Sequence, residues 1–175
     1  MDLVRSDSHE GGEDEDTISL HTASSKGEVD VVKTLLDRGA DINSRNAFYA
    51  TPLHKAAGNG NVEVVRLLVE RGAEVDSRNK YAWTPLHNAS RAGHVEISRL
   101  LIDHGANLNA RSYNYRTPIH LSAYNGYLGV VELLLERGAD THSLNVDRQT
   151  AYQLSLRQGH RKVSDLLREH ETHGG

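Results

Sequence analysis

The chain of 175 residues contains no cysteine, which excludes a disulfide framework, a thiolate metal site and a cysteine nucleophile, and removes any need for an oxidising compartment. No apolar run approaches the roughly 18 to 20 residues of a membrane span, and the N-terminus lacks the basic-then-apolar order of a secretion signal. A soluble, cytoplasmic protein is expected. Proline occurs three times, and tryptophan and phenylalanine once each. The length suits one domain with a real core and is short for two.

The formal net charge of -4 divides unevenly. Residues 1–16 carry seven acids (Asp2, Asp7, Glu10, Glu13, Asp14, Glu15, Asp16) against Arg5, and the remainder carries 17 acids against 19 bases. The acidic lead, poor in apolar residues, is expected to be a disordered, solvating tail over 1–16, with a second short tail over 171–175. The near-neutral body argues against nucleic acid as a partner, because phosphate binding calls for a concentrated basic face.

Against this background the internal order is conspicuous. Thr51-Pro52-Leu53-His54 returns at Thr84-Pro85-Leu86-His87 and, with one change, at Thr117-Pro118-Ile119-His120, a period of 33. All three prolines occupy one repeat position, and Gly27, Gly60, Gly93, Gly126 and Gly159 hold the same spacing. Such periodicity marks a stacked repeat architecture. Within a unit, Thr84 can cap a helix that Pro85 opens, since proline's missing N–H costs nothing at the first helical position. Gly93 can take the left-handed conformation that ends it, and Val95, Ile97, Leu100, Leu101 and Ile102 form the apolar stripe of a second helix running to Gly105. Neither helix could bury its face alone; stacked pairs could.

The pattern TPLHKAAGNGNVEVVRLLVERGAEVD, Thr51 to Asp76, resembles the ankyrin repeat. The resemblance implies an all-α solenoid of helix-turn-helix units with hairpin-like loops, covering residues 17–170 as units over about 14–46, 47–79, 80–112, 113–145 and 146–170. Ser164 and Arg168 stand where the second unit has Val65 and Val69, so the last helix is expected to present a polar outer face, as the cap of a complete small array.

Chemistry-bearing motifs are few. His21, His54, His87 and His120 form a ladder, but stacked repeats separated by roughly 8 to 10 Å cannot bring two rungs to one ion at about 2 Å; the resemblance implies that each histidine bonds near its own threonine and loop backbone. His170-Glu171-Thr172-His173 is one residue short of the helical zinc-protease pattern, and Gly58-Asn59-Gly60 lacks the third glycine and strand of a dinucleotide fingerprint. Asn88-Ala89-Ser90 is a formal glycosylation sequon within a helix. No P-loop or G-x-S-x-G is present, so neither catalysis, nor a metal, nor a cofactor is expected. Ankyrin-type loops can be asparaginyl-hydroxylase substrates; the matching positions are Asn43, Asp76, Asn109 and His142, and a loop role in satisfying backbone groups is the simpler reading.

The aromatics are placed unusually. Phe48 and Tyr49, Tyr81 and Trp83, and Tyr113 and Tyr115 lie just before a Thr-Pro, and Tyr124 and Tyr127 near the end of a first helix. None of these is a helical core position. Where the family usually has glycine, two residues before the threonine, this chain has Tyr49, Ala82, Tyr115 and Arg148; a left-handed residue there costs on the order of 1–2 kcal/mol. The resemblance places these positions on a concave, partner-contacting face. The expected site combines Phe48, Tyr49, Tyr81, Trp83, Tyr113, Tyr115 and Tyr124 with Lys80, Asn88, Arg91, Asn114, Arg116 and Asn125, a mixture of rigid anchors and adaptable polar groups typical of binders. The leading expectation is a non-enzymatic module, monomeric when free, that recognises a protein partner. Its aromatic tips resemble those of an engineered or selected binder, although the units vary too much, AEVDSRN against ANLNARS, for a consensus scaffold. The competing readings are a natural cytosolic adaptor or inhibitor using other faces or the acidic tail, and a groove for an extended peptide or small molecule.

Overall fold

A computed structural model of the chain describes residues 15–173. Ten helices among them fall into five antiparallel pairs: α1 (Glu15–Lys26) with α2 (Val29–Asp37), α3 (Pro52–Asn59) with α4 (Val62–Glu70), α5 (Pro85–Ala92) with α6 (Val95–Asp103), α7 (Pro118–Asn125) with α8 (Leu128–Glu136), and α9 (Ala151–Arg157) with α10 (Arg161–His173). The odd-numbered helices stack on one another as an inner row and the even-numbered ones as an outer row. No helix is long and apolar enough to cross a membrane among the described residues.

The termini differ from expectation. Helix α1 begins at Glu15 and α10 continues to His173, so helix covers residues assigned above to tails; the acidic lead over 1–14 lies outside the described residues. Ser164 does not present a polar outer face. It is buried, and its hydroxyl donates back to the carbonyls of His160 and Arg161 at 3.2 and 3.0 Å. Arg168 is exposed and pairs with Asp165.

Each inner helix of the middle units starts as its sequence dictates. Thr51, Thr84 and Thr117 are extended N-caps, each followed by proline, with a histidine at the third helical position completing a capping box. Each of these helices ends on a left-handed glycine. At Gly93 the requirement is double: φ is 80°, and a Cβ there would stand 2.7 Å from the Tyr127 ring. Tyr127 thus covers the neighbouring turn and is not a tip residue. Leu53, Leu86 and Ile119, 33 residues apart, are fully buried, each worth about 1.5–3 kcal/mol against exposure. The core clusters of the two ends share Ile102 and Leu108 at their margins, so the apolar interior is continuous.

Candidate functional site

The site is built from the loops that precede the inner helices. In each, an asparagine or serine organises a tight turn: Asn79 Oδ1 accepts from the N–H groups of Tyr81 (2.9 Å) and Trp83 (3.1 Å), and the Ala82 N–H donates to the Asn79 carbonyl at 2.8 Å. Asn46 and Asn145 repeat the arrangement, and Ser112 supplies the hydroxyl in the fourth unit. The turn chemistry missing at its glycine position is therefore supplied three residues earlier. Strain remains: Tyr49, Ala82, Tyr115 and Arg148 all have φ between 55° and 58°, a region costly for side chains bearing a Cβ.

Successive tips are tied together. The N–H of Lys80 donates to Phe48 O (2.9 Å), that of Tyr113 to Tyr81 O (3.2 Å) and that of Val146 to Asn114 O (3.0 Å). The histidine ladder provides a second tie. The Thr84 N–H donates to His87 Nδ1 at 3.1 Å, which leaves the proton on Nε2, and Nε2–H donates to Arg116 O of the next tip at 3.0 Å. His54 makes the same bond to Trp83 O and His120 to Gln149 O. The resemblance led to a bond near the histidine's own loop; the structure shows that each histidine also clamps the following one. Burial pushes the imidazoles of His54 and His87 down to about 4, only partly opposed by the bond to the carbonyl, and burial lowers His120 in the same way. His54, His87 and His120 are neutral structural clamps. Among the described residues no cluster of three or more histidine, cysteine, aspartate or glutamate side chains could hold a metal.

On this frame the rings stand outward. Phe48, Tyr49, Tyr81, Tyr113 and Tyr115 are 50–72% exposed, far more than core packing would leave. Trp83 is half-buried. Its ring lies 6.2 Å from that of His87, nearly parallel to it, with the Arg91 guanidinium 5.5 Å from its centre, so it is seated on its own helix. An open groove of about 630 Å³ is lined by Tyr81, Trp83, Asn88, Arg91, Tyr113 and Asn114, together with Asn79 and Ser112. Tyr49 and Tyr115 line two other concavities, beside Arg45 and Lys80 and beside Arg111 respectively; Tyr113 borders all three. The thirteen expected residues therefore do not converge on one groove.

Several of them also have structural duties. Asn88 Nδ2 donates to His54 O of the preceding unit at 3.1 Å, and Asn125 Nδ2 to Leu121 O at 2.8 Å. Arg116 lies 5.3 Å from the Tyr124 ring centre. Asn43, Asp76 and Asn109 accept the N–H groups of Glu74, Asn107 and Asp140 in the following units, the loop role expected of them. Sequence reasoning missed Arg45, Arg78 and Arg111, one residue per unit at the period of 33, and Val146, which is 58% exposed at the fourth tip. The repeat register could have revealed all four.

A family model described as ankyrin repeats (3 copies) matches residues 20–112, and one described as ankyrin repeats (many copies) matches residues 101–155. No curated protein matches the chain. The matches span the paired helices, the threonine-proline caps and the linked tips alike, and the chain belongs to the ankyrin-repeat family.

Proposed function

We propose that the protein is a non-catalytic recognition module that binds a protein partner on the face formed by its hairpin tips and inner helices, with the groove between Tyr81, Trp83 and Tyr113 at the centre. Ankyrin repeats are general protein–protein interaction modules; the face and its residues are the part proposed here. The observation that carries it is the row of five rings left 50–72% exposed at tips whose backbone is held by asparagine, histidine and tip-to-tip bonds. Rings left in water contribute no burial to the free protein. On a partner, each can bury about 150 Å² or more, and five approach the roughly 800 Å² that one side of a standard interface takes. The rigid tips keep the ordering cost of binding small.

The test is partner retention. Tyr81→Ala with Tyr113→Ala removes two exposed rings without touching the core and is expected to lose a partner that the wild type retains, with an unchanged melting temperature; Trp83→Ala should also lose it but melt lower, because that ring is half-buried. An outer-helix control, Arg99→Ala, should bind as wild type. Retention by the double variant, or loss on deleting residues 2–14 instead, would move the interface to another face or to the acidic lead.

A further inference from the structure

The sum of charges over the body conceals a segregation that the fold creates. In units two to five the tips and inner helices, residues 45–59, 78–92, 111–125 and 144–157, carry nine bases and the single acid Asp147. The outer helices of the same units, α4, α6, α8 and α10, carry nine acids and five bases, and the excess lies on α4, α6 and α8, where Glu63, Glu70, Glu96, Asp103, Glu132 and Glu136 stand against Arg66 and Arg99. The near-neutral body thus has a concentrated basic face after all, and the premise on which nucleic acid was set aside does not hold.

The two faces also treat their cations differently. Several outer-face bases are neutralised within the chain: Arg71 pairs with Asp37 at 2.9 Å, Arg137 with Asp103 at 2.6 Å, and Arg66 with Glu63 and Glu96. Among the described residues, none of the nine inner-face bases pairs with a carboxylate within the chain. Several rest on rings instead. Lys80 Nζ lies 3.9 Å from the Phe48 ring centre and 5.0 Å from that of Tyr81; Arg91 lies against Trp83 and Arg116 against Tyr124. A ring face holds a cation in place without cancelling its charge. The N–H groups that a ring does not engage remain able to donate to an arriving carboxylate.

We infer that this face recognises a carboxylate-rich segment of the partner protein, taking its acidic side chains at Lys80 and Arg91 of the third unit and Arg116 of the fourth. The inference rests on the concave-face reading above and names the partner's chemistry. Successive units are about one helix-packing distance apart, roughly 8–10 Å, a step that an extended segment covers in about three residues at about 3.3 Å per residue. A short acidic segment fits the charge distribution better than a nucleic acid. The few charges of a short segment stay within a Debye length, about 8 Å, of a face on which Asp147 is the one acid, whereas a longer polyanion extends past that face.

The experiment uses the full chain and a labelled (Glu-Ser-Leu)4 peptide, its (Gln-Ser-Leu)4 counterpart and a twelve-residue thymidine oligonucleotide, with binding read by fluorescence anisotropy at about 50 mM and about 200 mM salt. The acidic peptide should bind about tenfold more tightly than the glutamine peptide at low salt, and lose that advantage at the higher salt. Replacing Lys80, Arg91 and Arg116 together by Gln should remove the advantage, while Arg66→Gln with Arg99→Gln should leave it within about twofold; thermal melts confirm that both variants are folded. Equal binding of the two peptides, no saturation by the acidic one at about 1 mM, or tighter binding of the oligonucleotide overturns the inference. So does an affinity for the acidic peptide raised about tenfold by changing the seven acids of residues 2–16 to their amides, which would make the chain's own lead the occupant. Peptides that bind equally but are both lost on Tyr81→Ala with Tyr113→Ala refute only the charge; peptides indifferent to that double variant refute the face itself.

Discussion

The inner and outer faces of this solenoid are made from the same repeat and solve opposite problems. At the ends of the outer helices, arginines pair with carboxylates of the preceding unit, as Arg71 does with Asp37 and Arg137 with Asp103, and among the described residues the only exposed large apolar residue on those helices is Val31. On the inner face, cations sit on rings, rings sit in water, and four residues hold a backbone conformation that glycine would adopt more cheaply. The outer face pairs several of its own charges. The inner one is held rigid by neutral histidines and leaves its polar and aromatic groups for something else. The contrast teaches that surface chemistry within a repeat is divided by position, with stability on one side and departures from local preference on the other.

Acid should break the contrast most strongly. The folded protein keeps His54 and His87 neutral, lowered to about 4 from an ordinary value of 6.5, so between those values the unfolded chain binds more protons than the folded one. Stability is fully present above pH 6.5 and is lost as the pH falls toward 4. Each of the two histidines accounts for about 3 kcal/mol at the low end, a large part of a typical domain's roughly 5–15 kcal/mol. Urea melts from pH 7 to pH 4.5 should show most of this decline before carboxylates titrate in numbers. His87→Gln sharpens the result: Gln can accept the Thr84 N–H, as Gln153 already accepts that of Thr150 at 3.0 Å, while abandoning Arg116 O. We expect a cost of about 1–2 kcal/mol at pH 7 and a shallower pH dependence. An unchanged slope would mean that the ladder is not the titrating element.

A smaller effect, of opposite sign, concerns the strained tips. Ala82→Gly relieves a φ of 58° at a buried position with only a methyl to lose. Although glycine also loosens the unfolded chain, the variant should be more stable by about 0.5–1 kcal/mol, seen as a raised denaturation midpoint with an unchanged slope. Destabilisation would show that the methyl packs better than the backbone is strained.

Smallest of all should be the loss of the outer ion pairs. Asp37→Asn and Asp103→Asn each remove a half-exposed partner, and exposed pairs of this kind are worth about 0–1 kcal/mol. The loss should vanish in 1 M salt. A larger loss that persists in salt would make the outer face more than a solvated surface.

Much of this molecule was legible in one dimension. The period of 33, the Thr-Pro caps and the glycine stops placed the inner and outer helices and their buried leucines, because caps and stops act through bonds that are local in the chain. The tips were legible as exposed rings for the same reason: in register they fall outside every apolar stripe. The seat of Trp83 on His87 and Arg91 was not legible, because it depends on helix packing angles that spacing does not encode. Ser164 was misjudged because a helical hydroxyl can turn back to its own backbone and be buried there.

By itself the sequence determined the repeat, its handed turns and the identity of the neighbours one period apart, since each of these follows from short-range backbone chemistry and from the need of two half-apolar helices to cover each other. Only the stacked structure decided that a nearly neutral body would become a cationic, ring-lined face opposite an acidic one. Net charge is a sum and carries no direction, whereas the stacking of units assigns every charged residue to a side.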